Sequence, residues 1–314
     1  MYKMQKITFG VFILIALVTG CSDANEKKEP TDTATSGEVN IVVDESFQKL
    51  FDNQVFTFEA IYKNARINVA YLPENEALER MMNDSCKVVV MCRDITAAER
   101  RSFESKNLFP ISTKIAEDAI VFLVNPENTD TTLTVEKVRS ILSGNDSLWT
   151  QLNKDSKLGG INVVFDNAGS ANARYMKDSL LGGKEFSKNV FAVKSNPEVI
   201  EYVNTHKNAL GILSVNWISD VDDSTTTNIL KKVKVVAIAK NETSTPLKAY
   251  QAYIKTKEYP FTRSVYMVNR QTRAGLGMGF VSFVAGDKGQ LMILKAGLVP
   301  AIAPVRLVQI NIEK

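Results

Sequence analysis

Apolar positions along this chain change period again and again, and each change marks an element. Val39 to Val43 is a short apolar run; after Asp44-Glu45-Ser46, apolar residues return at Phe47, Leu50, Phe51, Val55, Phe58 and Ile61, the spacing of a helix face. Ala65 to Tyr71 reads as strand, Glu74 to Asn83 as helix, Val88 to Met91 as strand, and Ala97 to Ser105 as helix. Ile115 to Asn125 (IAEDAIVFLVN) is a long apolar strand stopped by Pro126, and Val135 to Leu142 is a helix closed by Ser143-Gly144. Ile161, Val163 and Phe165 alternate with Asn162 and Val164. The turn Asp166-Asn167-Ala168-Gly169 then leads to a helix through Tyr175, Met176, Ser179 and Leu180, ended by Gly182-Gly183. Val199 to Tyr202 is predicted helical and Leu210 to Val215 a strand, with Gly211 marking a tight backbone approach; Val233 to Ile238 is another strand. Phe280 to Ala296 is a helix interrupted near Gly286, and Gly297 to Pro300 turns the chain toward a last strand, Arg306 to Ile312. Strands and helices in alternation predict an α/β fold with a mainly parallel sheet, whose ligands gather beyond the carboxyl ends of the strands.

The amino end follows a different logic. Lys3 and Lys6 precede an apolar run from Ile7 to Val18, short for a membrane span, which ends in Val18-Thr19-Gly20-Cys21. Small residues before a cysteine at the end of such a run resemble the lipobox of bacterial lipoproteins. By that resemblance residues 1–20 are a signal peptide and Cys21 is the lipidated first residue. Acyl chains gain roughly 0.8 kcal/mol per buried methylene, so a multiply acylated cysteine holds firmly to a bilayer. Ser22 to Gly37 has almost no apolar residue larger than Ala and cannot offset its ordering entropy, so residues 21–37 are expected to be a flexible tether. About 277 residues remain, enough for one large or two mid-sized lobes.

Charge and cysteine content narrow the function classes. A formal net charge of +3 with no Lys/Arg cluster interleaved with aromatics does not fit a nucleic-acid partner. Cys86 and Cys92 flank a strand-like segment that holds their Cα atoms about 20 Å apart, too far for a disulfide. Both read as small buried residues. His206, the only histidine, falls between a helix and a strand and reads as solvated. No paired Cys/His and no His-rich spacing suggest a hydrolase, a metal site or a cofactor. Gly275, Gly277 and Gly279 have the wrong spacing, and no preceding strand, for a nucleotide motif.

The junctions after the strands carry the candidate chemistry. A helix start has unpaired backbone N–H groups and a partial positive charge, and small residues such as Gly169, Ser170 and Ala171 let an anion come close. Ser46 begins a second such junction, and Cys92-Arg93-Asp94 a third. Each has a plainer reading: Ser46 and Ser170 as helix caps worth about 1 kcal/mol, Arg93 as a partner of Asp94 or Glu99, and Arg174 as a partner of Asp178.

The order of several segments resembles the phosphate-binding subunits of bacterial phosphate ABC importers over nearly the whole chain beyond the tether. IAEDAIVFLVNPEN, VEKVRSILSGNDSLW, ALGILSVNWIS, YPFTRSVYMVN and GFVSFVAGDKGQLMILKAGLVP are the segments that carry it. The resemblance implies a two-lobed periplasmic-binding-protein fold of type II, each lobe a mixed, mainly parallel sheet flanked by helices, hinged by two crossover strands. Residues 38–124 and 232–314 would form the first lobe and 125–231 the second. It also implies that Ser46 and Phe47, Cys92, Arg93 and Asp94, and Gly169, Ser170, Ala171, Asn172 and Arg174 contact the anion in the cleft. Three positions depart from that family's pattern. Asp166 stands where an arginine is usual, Asp44-Glu45 where small neutral residues are usual, and Pro73-Glu74-Asn75-Glu76 where a Ser/Gly-rich loop is usual. The function expected is a monomeric, lipid-anchored solute-binding protein of the bacterial cell envelope. It would capture phosphate or a related small oxyanion for an ABC permease, without enzyme activity. The alternative is a surface lipoprotein that uses the same fold as a sensor or interaction module for another ligand.

Overall fold

A computed structural model of the chain describes residues 32–220, 223–271 and 274–303. Cys21, the segment before it and the strand expected at Arg306 to Ile312 lie outside the described residues. In chain order the strands are β1 (Gly37–Asp44), β2 (Ala65–Leu72), β3 (Val88–Met91), β4 (Ile111–Val124), β5 (Thr132–Thr134), β6 (Asn162–Phe165), β7 (Val190–Ala192), β8 (Ala209–Ser214), β9 (Lys234–Val235), β10 (Ala237–Ala239), β11 (Thr262–Asn269) and β12 (Val299–Pro300). The helices are α1 (Gln48–Ile61), α2 (Glu74–Met82), α3 (Ala97–Glu104), α4 (Val135–Ser143), α5 (Trp149–Leu152), α6 (Ala171–Tyr175), α7 (Asn196–Thr205), α8 (Ser224–Lys232), α9 (Gln251–Lys255), α10 (Leu276–Ala285) and α11 (Asp287–Lys295).

One sheet runs through both lobes in the order β2-β1-β3-β11-β4-β8-β6-β7. Its two ends are parallel, β2-β1-β3 in the first lobe and β8-β6-β7 in the second, as alternating βα units require. The middle is antiparallel, because β11 returns between β3 and β4 and β8 runs against β4. β4 belongs to both halves: Ile111 to Ala119 pair with β11, and Ile120 to Val124 pair with β8. The second crossing lies beside it, where Ile120 N donates to Phe261 O and Thr262 pairs with Ala119.

β3, in the middle of the first lobe's sheet, is buried on both faces, which is why it is a continuous apolar run, whereas edge strand β2 begins with alternating buried and exposed positions. Val39, Ile41, Val43, Val88 and Val90 pack under Phe47, Phe51 and Phe58 and under Phe280 and Val284 of α10. Val42, Val89, Met91 and Val268 face Ala77, Met81 and Phe103 of α2 and α3. The second lobe has its own core around Phe122, Val163, Phe165, Leu210 and Val199. Gly211 is tight there as expected, since a Cβ would stand 2.6 Å from Val203 Cγ2.

Three expectations change. Val233, Val236, Ile238, Ala249, Ile254, Tyr259 and Phe261 all pack in the second core, so the chain leaves that lobe at Phe261 and not at Lys231. The strand expected at Val233 to Ile238 is two short ones, β9 on β4 and β10 on β5, because the chain switches partner between them. The tether's last residues are docked: Asp32 Oδ1 accepts Leu276 N at 2.8 Å, and the Ala34 backbone lies where a Cβ of Gly279 would be. A side-chain cap at a helix start is the reason that composition alone did not reveal.

Candidate functional site

The cleft between the lobes is built from four strand ends. At the first, β1 runs out at Asp44, whose Oδ1 accepts Ser46 N at 3.0 Å; the aspartate, not Ser46, caps the turn of residues 45–47. Ser46 and Phe47 are fully buried, and Phe47 belongs to the core. Ser46 O accepts Asn216 Nδ2 (2.8 Å) and Trp217 Nε1 (3.0 Å) from the turn that follows β8, which fastens the first lobe to the second. Ser46 Oγ lies 3.5 Å from Asn172 Nδ2, whose other acceptor is Asp166 Oδ2 at 3.1 Å.

The second strand end belongs to Glu74, the first residue of α2 and 2% exposed. Its carboxylate accepts Cys92 N and Arg93 Nε, each at 3.0 Å, and Arg174 Nη2 at 3.3 Å. Arg174 Nε is 2.6 Å from Glu74 Oε1, while the Asp178 carboxylate stands 3.7 Å from Arg174 Nη1. Arg93 also forms a two-pronged pair with Glu99, both arms at 2.8 Å. Such bidentate, charge-assisted pairs are short and directional, so the third junction is already ordered by carboxylates of the chain itself. Cys92 is buried, and burial raises its thiol pKa well above the ordinary value, so it is a neutral core residue. The Asp94 carboxylate is turned to Ile95 N (2.7 Å) and Ser112 Oγ on an exposed part of the first lobe; of the other candidates only Arg93 is bonded to Asp94, through Nη1 to its backbone carbonyl at 3.0 Å.

The fourth end is the Asp166 turn. Asn167 Oδ1 accepts Gly169 N at 2.9 Å, and Ser170 Oγ caps the helix by accepting Ala173 N at 3.2 Å. Gly169 matters for its small size, because a Cβ there would meet Asn75 Oδ1 at 2.7 Å. Ala171 is buried against the first-lobe core, and Asn172 bridges Ser46 and Asp166. Gly169, Ser170 and Arg174 face Glu74 and Arg93 across a cavity of about 440 Å³.

The floor of the cleft lies where β4 passes between the lobes. Arg263 of β11 donates through Nε to Asp118 Oδ2 at 2.9 Å, with side chains 2% and 0% exposed. Asp118 Oδ1 accepts Ser214 Oγ (2.7 Å), and Ser214 Oγ accepts Asn216 Nδ2 (2.6 Å), so the pair is joined to the Ser46 loop. Neither residue, nor Asp44, Glu74 and Asp166 as site members, was singled out from the junction pattern. A charged residue inside the most apolar stretch, IAEDAIVFLV, was the available signal, since a buried charge needs a partner.

Burial dominates the electrostatics. It raises the Asp44 carboxyl to about 7, with Glu74 and Asp166 adding to the effect against the Ser46 hydrogen bond and Arg263. It raises Glu45 to about 8, helped by Asp166, Asp44 and Glu76. Asp166 is also pushed up by burial, in spite of hydrogen bonds from Ser170 and Asn172. Among the described residues no group of three or more His, Cys, Asp or Glu could hold a metal ion. His206 is exposed and stacked on Tyr202, ring centres 3.9 Å apart. The arrangement is suited to holding a small polar solute between two lobes.

Residues 28–288 match the family model described as the PBP superfamily domain. The phosphate-binding protein PstS of Borreliella burgdorferi is 22% identical over 304 residues, covering 94% of this chain and 98% of its own. PstS of Staphylococcus aureus is 21% identical over 233 residues, 73% of this chain and 68% of its own. Among solved structures, a Clostridium perfringens chain with bound phosphate superposes with a TM-score of 0.71 at 18% identity, covering 85% of this chain and 100% of its own. An ABC-type phosphate transport receptor of Vibrio cholerae does so at 0.63 and 19%, covering 84% and 100%.

Proposed function

This chain belongs to the PBP superfamily domain family, and from that premise we propose that it captures phosphate, or a related small oxyanion, in the interlobe cleft for an ABC importer. The observation that carries the reading is convergence. Ser46 Oγ of one lobe lies 3.5 Å from Asn172 Nδ2 of the other, and from the same helix start Ser170 and Arg174 line a cavity that they share with Arg93. The names of the similar proteins from Borreliella burgdorferi and Staphylococcus aureus point to the same ligand. Anchoring through Cys21 would keep the protein at the envelope, with the permease as its partner, and no helix among the described residues is long and apolar enough to cross a membrane. A monomer is the working state in this reading.

Calorimetric titration of the purified protein with phosphate tests it. Charge-assisted contacts contribute roughly 1.5–3 kcal/mol each, and micromolar binding needs about 8 kcal/mol net, so a handful of donors suffices. Saturable heat at micromolar phosphate is the expected result; no heat at millimolar phosphate would overturn the phosphate assignment. Asp44, Glu45 and Asp166 in the cleft favour a second reading, a sensor or interaction module for a ligand rich in hydrogen-bond donors. That reading predicts saturable binding of a cationic solute in the same experiment.

A further inference from the structure

The charges around the floor and mouth of the cleft do not balance. Arg93, Arg174 and Arg263 are matched in number by Glu74, Glu99 and Asp118, each held in ion pairs with them. Among the described residues no cation forms an ion pair with Asp44, Glu45 or Asp166. Asp44 and Asp166 are fully buried, and one oxygen of each of the three carboxyls (Asp44 Oδ2, Glu45 Oε1, Asp166 Oδ1) is buried without a hydrogen-bond partner. Arg263 Nη1 is likewise buried and unpartnered, and its charge acts on both Asp44 and Asp166. Unpartnered buried polar atoms are costly, more so when charged, and three ionised carboxylates close enough to act on one another would also repel an anion brought near them.

We propose that the cleft accepts its oxyanion only while Asp44, Glu45 and Asp166 are carboxylic acids, so that capture is linked to protons held by the protein. In that state the three groups are themselves uncharged and carry O–H donors that can point at the anion. When they ionise, the same groups become three negative charges with acceptors only. The groups that face them are Glu74, Glu76, Arg263, Ser46, Ser170 and Asn172; of these only Arg263 is a cation, and Asp118 already engages it. The raised pKa values of Asp44 and Glu45, about 7 and about 8, put the change near neutrality. This rests on the anion-capture reading and adds a condition that the reading does not contain.

The test is phosphate calorimetry on the wild-type protein at pH 6 and pH 8.5. It is repeated in buffers of different ionisation enthalpy to count protons, and again on Asp166→Asn and Asp44→Asn. Affinity is expected to fall about 30-fold at pH 8.5, from the acid fraction of Asp44 alone, with a net proton uptake on binding there. The fall is expected to shrink in both variants. Phosphate's own titration is common to all three proteins, so the difference between them belongs to the carboxyls. Equal or tighter binding at pH 8.5, or variants with an unchanged pH profile, overturns the inference and leaves phosphate capture standing. Absence of binding at both pH values overturns the phosphate reading itself.

Discussion

Replacing Asp118 by Asn should be among the most destabilising single changes in this protein. The substitution keeps the shape of the side chain and an oxygen for Ser214 Oγ, and removes only the charge opposite Arg263. With the two side chains 0% and 2% exposed, solvent cannot take over the role of the lost partner. An orphaned buried guanidinium costs about 3–5 kcal/mol by the usual behaviour of broken buried pairs. At roughly 2–4 °C per kcal/mol for a chain of this class, the melting temperature should fall by about 6–20 °C. Urea unfolding followed by Trp149 and Trp217 fluorescence reads the change, with the midpoint moving and the slope constant. Arg263→Met should cost less at mildly acid pH, because burial already raises the Asp118 pKa and that carboxyl can neutralise itself; the cost should grow as pH rises. The double change Asp118→Leu with Arg263→Met should recover most of the loss. If Asp118→Asn shifts stability by less than about 1 kcal/mol, or if the double variant costs the sum of the single ones, the two side chains are not the coupled buried pair described above.

Four further outcomes follow. Ser170→Ala should cost about 1 kcal/mol through the lost cap on Ala173 N, and should weaken phosphate binding in the same calorimetry. Glu74→Gln should leave Arg93 paired with Glu99 but loosen Arg174, giving faster trypsin cleavage after Arg174 with only a modest loss of melting temperature. Because the folded pKa values of Asp44 and Glu45 are raised, the folded state binds more protons than the unfolded one. Their contribution is complete below about pH 4 and is lost as pH rises to about 8, so the urea midpoint should drop over that window and drop less in Asp44→Asn. Gly211→Ala should cost about 1–3 kcal/mol, measured by thermal unfolding, because its Cβ would overlap Val203 and Val199 of α7.

Local periodicity made most of the fold legible. α1, α2, α3 and α4, the break at Gly286 and the strands β1 to β4 lie within a few residues of where the pattern put them. The pattern could not reveal β11. Thr262 to Asn269 alternates, but nothing local says that it inserts antiparallel between two strands made much earlier. The same holds for the site. Ser170 and Arg174 were legible because helix starts and helical spacing are local facts. Arg263 with Asp118, and Glu74 with Arg174, meet only through tertiary folding across large sequence separations. Asp94 shows the converse: a junction position alone does not aim a side chain.

The late insertion of β11 has a consequence for how this protein is made. Until residues 92–261 have been synthesised, β3 has a bare edge on the side that β11 will occupy, and its four residues are all apolar. Such an edge on an unfinished sheet invites pairing with neighbouring chains. Nascent molecules should therefore be most prone to clump between emergence of β3 and emergence of Thr262, a window that slower translation would lengthen.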